Sequence, residues 1–151
     1  MLQTMDGSMI DQVVVGGGAS LLNIAVHAFA TLTMVRAVRA RFTGEFHSGP
    51  MLGLIVVMVT AVSVLMIAHL FEIWVWSLFY AFLGVAPPGA NDFTFAFVNF
   101  TTLGYGDVVP VPRWKILGPM TAMNGVLLFG WSTAVLFQIL TASSHRLDMK
   151  F

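Results

Sequence analysis

The sequence contains no cysteine. It can therefore form neither a disulfide framework nor a thiolate metal site, and the redox compartment stays open. Charge is nearly as scarce. Only 9% of the 151 residues are Asp, Glu, Lys or Arg, against about 25% in a soluble domain, which excludes a well-hydrated globular surface. Formal net charge is zero, so there is no basic excess to hold a nucleic acid. Residues 1–12 include Asp6 and Asp11 but no Lys or Arg. A cleavable secretory signal should open with positive charge, so none is expected. No nucleophile–base arrangement, phosphate-binding loop or metal cluster stands out, and neither an enzyme nor a cofactor is expected. What fills the chain is apolar, with 58% hydrophobic residues and a mean hydropathy of +0.87. An all-α integral membrane protein in contact with lipid is expected.

Three segments are candidates to cross a bilayer core of roughly 30 Å. The first covers 13–35, its start blurred by Gly16, Gly17 and Gly18. Asn23 and His27 share one face of it and can hydrogen-bond to a neighbouring helix; packing is the expected role, ahead of a metal or proton site. Arg36, Arg39 and Arg41 follow at the end of the apolar run rather than within it, which suits topology-setting charge better than a voltage sensor. Ser48 as N-cap and Pro50 in the first turn open a second helix over 51–84. At 1.5 Å per residue it is roughly 50 Å long and must tilt or extend past the bilayer. Trp74, Trp76 and Tyr80 on this helix, and Trp114 later, suit a membrane interface.

His69 and Glu72 share a face within the second helix. An ionisable group at membrane depth is costly, so Glu72 is a functional candidate. A metal there would need ligands from other helices, and the spacing reveals none. Pro87-Pro88-Gly89 turns the chain, and Asn91 or Asp92 caps a short helix over 92–101. That helix is apolar almost all round, so it must be buried in protein, dipping partway in and returning. Pro110 and Pro112 keep the return segment extended, and a last helix covers 116–140. The tail at 142–151 is expected to be too short for a ligand-sensing domain.

Between the short helix and the last one lies Asn99-Phe100-Thr101-Thr102-Leu103-Gly104-Tyr105-Gly106-Asp107. Carbonyls can replace the water around a cation if successive C=O groups face one axis, which requires φ values that only glycine adopts freely. Gly104 and Gly106, alternating with Tyr105, relieve that constraint. The stretch resembles the selectivity filter of potassium channels, whose usual core is Thr-Val-Gly-Tyr-Gly-Asp. Over 51–140 the chain resembles the two-transmembrane pore-domain potassium channels of prokaryotes, with one extra helix in front.

The resemblance implies a homotetrameric pore, since one chain supplies a quarter of each oxygen ring. It divides the chain into an N-terminal part (1–50), a pore domain (51–141) with outer helix, pore helix, filter (102–107) and inner helix, and the tail (142–151). Potassium, as permeant ion, would bind oxygens of Thr102, Leu103, Gly104 and Tyr105, with Gly106 completing the filter and Asp107 concentrating cations at the outer mouth. The inner helix would bend at Gly130, or else Gly125, and line a gate with Thr133 and Phe137. With the filter outside, Arg36, Arg39, Arg41, Arg146 and Lys150 fall inside and only Arg113 and Lys115 outside, as the positive-inside rule requires. That puts the N-terminus outside and the C-terminus inside, in a bacterial-type inner membrane.

This sequence departs from the family pattern at three places. Leu103 stands where valine or isoleucine is usual, Val98 where many bacterial channels carry a glutamate that braces the filter aspartate, and Thr94-Phe95 where a tryptophan pair is common. Glu72 is the candidate to supply the missing brace, by bonding to Asn99, Thr101 or a backbone N–H behind the filter. A weakly selective cation channel of the same fold and a non-conducting modulatory subunit are the alternatives.

Overall fold

The computed structural model describes residues 7–41 and 50–146; the expected Ser48 cap and the charge of Lys150 lie outside the described residues. Among the described residues four α-helices follow in order: α1 Gly7–Arg41, α2 Pro50–Leu83, α3 Asp92–Phe100 and α4 Leu117–Arg146, with a 3-10 turn at Pro112–Trp114 before α4. Three apolar stretches among the described residues are long enough to cross a membrane: Met9–Ala40, Met51–Leu83 and Pro112–His145.

Helix α1 begins earlier and ends later than its hydropathy suggests, and it runs unbroken through Gly16, Gly17 and Gly18. A Cβ on Gly16 would meet Met120 and Leu117, so that glycine lets α1 approach α4 closely. The α4 helix also runs on past the expected limit at 140, because nothing from Thr141 to His145 breaks a helix.

Local chemistry sets the helix ends around α3. Gly84 takes φ +62° and the Val85 N–H reaches the Tyr80 carbonyl at 3.0 Å. This is a Schellman close, with Val85 fully buried as its apolar contact. Asn91 caps α3 through Oδ1, which accepts from the Thr94 N–H at 2.9 Å. At the start of α4, the orphan Ile116 N–H donates to Gln12 Oε1 of α1 at 2.8 Å.

The three long helices pack on one another, and α3 packs on α2 and α4. Two apolar clusters result. One surrounds α3, with Trp76, Tyr80, Phe95, Phe100, Trp114, Leu117 and Leu128 among its members. The other joins Met34 and Val38 to Val57, Ala61, Leu65, Val135 and Ile139. By their order along α1, α2 and α4, the buried polar residues Asn23, His27, Glu72 and Ser132 lie between the two clusters.

Of the aromatic residues expected at a membrane interface, only Trp74 is exposed, at 49%; Trp76, Tyr80 and Trp114 are buried. Two of the buried three find polar partners inside: Trp76 Nε1 donates to Asn124 Oδ1 at 3.0 Å, and the Tyr80 hydroxyl bonds to Thr121 at 2.8 Å. A buried indole or phenol is tolerated when its polar tip is paired.

Gly125 marks a close approach of α4 to α3, where an added Cβ would run into the Phe100 carbonyl. Gly125→Ala is expected to push the two helices apart and cost about 1–3 kcal/mol, the usual range for overpacking. A lowered thermal midpoint of the detergent-solubilised protein, with helix content retained before melting, checks this.

Candidate functional site

The loop after α3 has an unusual backbone. Thr102, Gly104 and Gly106 take φ of +59°, +50° and +81°, whereas Leu103 and Tyr105 between them do not take positive φ. Handedness therefore alternates residue by residue. Glycine adopts the left-handed region without cost, but a β-branched threonine there is strained, and such strain clusters at functional sites. The loop is anchored at its start, where the Thr102 N–H reaches the Asn99 carbonyl and the Leu103 N–H the Val98 carbonyl, both at 3.0 Å. All residues from Thr102 to Asp107 are exposed on the single chain, with Leu103 at 54% and Tyr105 at 72%. Asp107 makes no hydrogen bond or ion pair among the described residues.

Behind the loop, a hydrogen-bond relay joins three helices. Thr121 Oγ1 donates to the Leu117 carbonyl at 2.8 Å, so the Tyr80 hydroxyl donates to Thr121. Tyr80 in turn accepts from Asn99 Nδ2 at 3.2 Å. Thr101 is occupied locally, its hydroxyl donating to the Phe97 carbonyl at 2.8 Å. Tyr80→Phe would leave the Asn99 amide without its acceptor, at a cost of about 1–3 kcal/mol. A fall in thermal midpoint, with no change in helix content at low temperature, is the expected result.

The expected bond from Glu72 to Asn99 or Thr101 is not made. Glu72 is fully buried, and both of its oxygens are taken by imidazoles. His27 Nδ1 lies 2.8 Å from Oε1 and His69 Nδ1 lies 2.8 Å from Oε2. The two rings stack with centroids 5.2 Å apart. Ser132 Oγ of α4 closes the circuit, 2.9 Å from His69 Nε2 and 3.3 Å from His27 Nε2. His27 is the further ligand that could hold a metal with His69 and Glu72; the candidate ligand atoms all lie within 4.8 Å of one another. Sequence spacing could not reveal it, because His27 and Glu72 are 45 positions apart.

Next to this circuit Asn124 forms a second junction. Its Oδ1 accepts from Asn23 Nδ2 at 3.2 Å as well as from Trp76, and Asn23 Nδ2 also reaches the Glu72 carbonyl at 3.2 Å. The sequence signal for this junction was the pair Asn23 and His27 on one face of α1, both of which are fully buried.

Of the remaining candidates, Gly130, Thr133 and Phe137 form an exposed stripe along α4. A Cβ on Gly130 would meet nothing; Thr133 bonds back to the Phe129 carbonyl at 2.9 Å. Gly125 is buried on another face. Both glycines lie within an unbroken helix.

A family model described as an ion channel matches residues 52–142, well over half of the chain. No curated protein and no solved structure matches the chain.

Proposed function

The chain belongs to the ion channel family, and from that membership we propose that this integral membrane protein is the pore-forming subunit of a homotetrameric potassium channel. The observation that supports this most is the alternating backbone at Thr102, Gly104 and Gly106. Alternation of this kind is what a loop needs if the carbonyls of Thr102, Leu103, Gly104 and Tyr105 are to face one axis and stand in for the water around potassium. The exposure of Leu103 and Tyr105 supports the tetramer, because neighbouring copies would cover side chains that this chain leaves bare. In that assembly α3 is the re-entrant pore helix, with its negative C-terminal end toward the permeant cation. Asp107 lies at the outer mouth, and the stripe at Gly130, Thr133 and Phe137 lines the gate. The excess of basic residues on one side supports an orientation with the N-terminus outside and the C-terminus inside.

Purified protein in liposomes tests this: potassium efflux above that of empty vesicles is expected, with much slower sodium efflux. A specific observation favours a second reading, a weakly selective cation channel. Asp107 has no bracing partner among the described residues, Val98 cannot supply one, and Glu72 is engaged elsewhere. Equal rates for the two ions would favour that reading.

A further inference from the structure

The His27–Glu72–His69–Ser132 circuit is more than packing requires. Each of its contacts can hold one proton, and with every contact so filled the group is neutral overall. It is then either a carboxylate with one imidazolium or a neutral carboxyl with two neutral imidazoles. A closed ring of this kind satisfies every donor, yet its composition is also that of a metal site with two imidazole nitrogens and one carboxylate. The His69–Glu72 pair lies on one helix face at i, i+3, and the third donor comes from a different helix.

We infer that His27 Nδ1, His69 Nδ1 and a Glu72 oxygen bind a divalent transition-metal ion of the zinc class. Ser132 supports the assignment. An imidazole bound through Nδ1 carries its proton on Nε2 and needs an outer acceptor there. Both Nε2 atoms face the same Ser132 Oγ, whose two lone pairs can accept from both at once. Loading displaces one proton from the ring to solvent, leaving two neutral imidazoles, a carboxylate and the Ser132 hydroxyl. Tetrahedral ligands around zinc stand about 3.3 Å apart, so the 2.8 Å contact between the ligating Glu72 oxygen and its own imidazole opens by roughly half an ångström. His69 keeps 14% of its side chain exposed, giving the ion a side to enter from. Nitrogen donors select against potassium, sodium and magnesium, which prefer all-oxygen sites.

Ser132 is two residues beyond Gly130 on α4. A bound ion would tie α1 and α2 to α4 at that level and hold the helix straight, reducing flux. This consequence rests on the channel reading; the binding itself does not.

The test uses the full chain in detergent, stripped with a chelator. Titration with Co2+ should give the visible bands of a nitrogen- and oxygen-ligated tetrahedral ion, and calorimetry with Zn2+ should saturate at one ion per chain. Glu72→Gln keeps the hydrogen-bond ring, since its amide can donate to one Nδ1 and accept from the other, but removes the anionic ligand. It should retain thermal stability while losing at least tenfold in affinity. His27→Gln with His69→Gln should abolish the Co2+ bands, and Ser132→Ala should weaken binding by roughly 10–100-fold, as loss of an outer-shell partner does. No saturable Zn2+ uptake by the unaltered protein, or uptake unchanged in the double variant, overturns the site. In proteoliposomes, Zn2+ should slow potassium flux in the unaltered protein and not in the double variant. Saturating Zn2+ without effect on flux overturns the proposed hold on α4. Absence of any flux contradicts the channel reading while the binding result stands.

Discussion

Gly104→Ala is expected to abolish preference for potassium over sodium while leaving the helical bundle intact. The added methyl group has two separable effects. Sterically the change is mild, because a Cβ at Gly104 lies 4.0 Å from its nearest neighbour on the chain, the Thr102 carbonyl oxygen. Conformationally it is not, because the residue holds φ +50° and an L-side chain there costs about 1–2 kcal/mol. In a tetramer that cost recurs in every copy around one axis. The loop would relieve it by rotating the peptide and turning a carbonyl away. The bi-ionic reversal potential should then move toward zero, whereas the thermal midpoint should fall by only a few degrees. Unchanged selectivity would mean that the handedness of the loop at Gly104 is irrelevant to permeation.

Glu72→Ala is expected to have the largest effect on stability. It removes the acceptor shared by His27 and His69 and leaves a cavity between α1, α2 and α4. Breaking a buried ionisable cluster by deleting one member typically costs about 3–5 kcal/mol, a large part of the stability of an ordinary domain. Loss of the folded fraction in detergent, or a steep drop in thermal midpoint, is the expected outcome. Glu72→Gln is the informative companion, since its amide can preserve both imidazole contacts by a change of tautomer. A Glu72→Ala protein as stable as the original would show that the three helices do not depend on this junction.

Much of this architecture was legible from residue types. Long apolar runs gave the three long helices, Pro87-Pro88-Gly89 and Asn91 marked the turn before α3, and the glycines at 104 and 106 marked the unusual loop. Thr102 was less legible. Its φ of +59° runs against the preference of a β-branched residue, so its conformation comes from the anchored loop around it and not from its own propensity. The interior of the three-helix bundle was hidden for another reason. Hydropathy places His27, His69, Glu72 and Ser132 at membrane depth, but only the packing of α1, α2 and α4 on one another decides that they meet. The same packing buries Trp76 and Tyr80, which composition alone assigns to an interface. It also explains why Glu72 turns to the imidazoles and leaves Asn99 to Tyr80.

The proposed pore requires four copies of one loop meeting on an axis. The measurement that tests this most directly is a single-particle structure of the purified protein in lipid nanodiscs with potassium present. The predicted result is a fourfold particle, with density on the axis between rings of carbonyl oxygens from Thr102 to Tyr105. A particle without fourfold symmetry, or one in which the Tyr105 carbonyls turn away from a common centre, would contradict it.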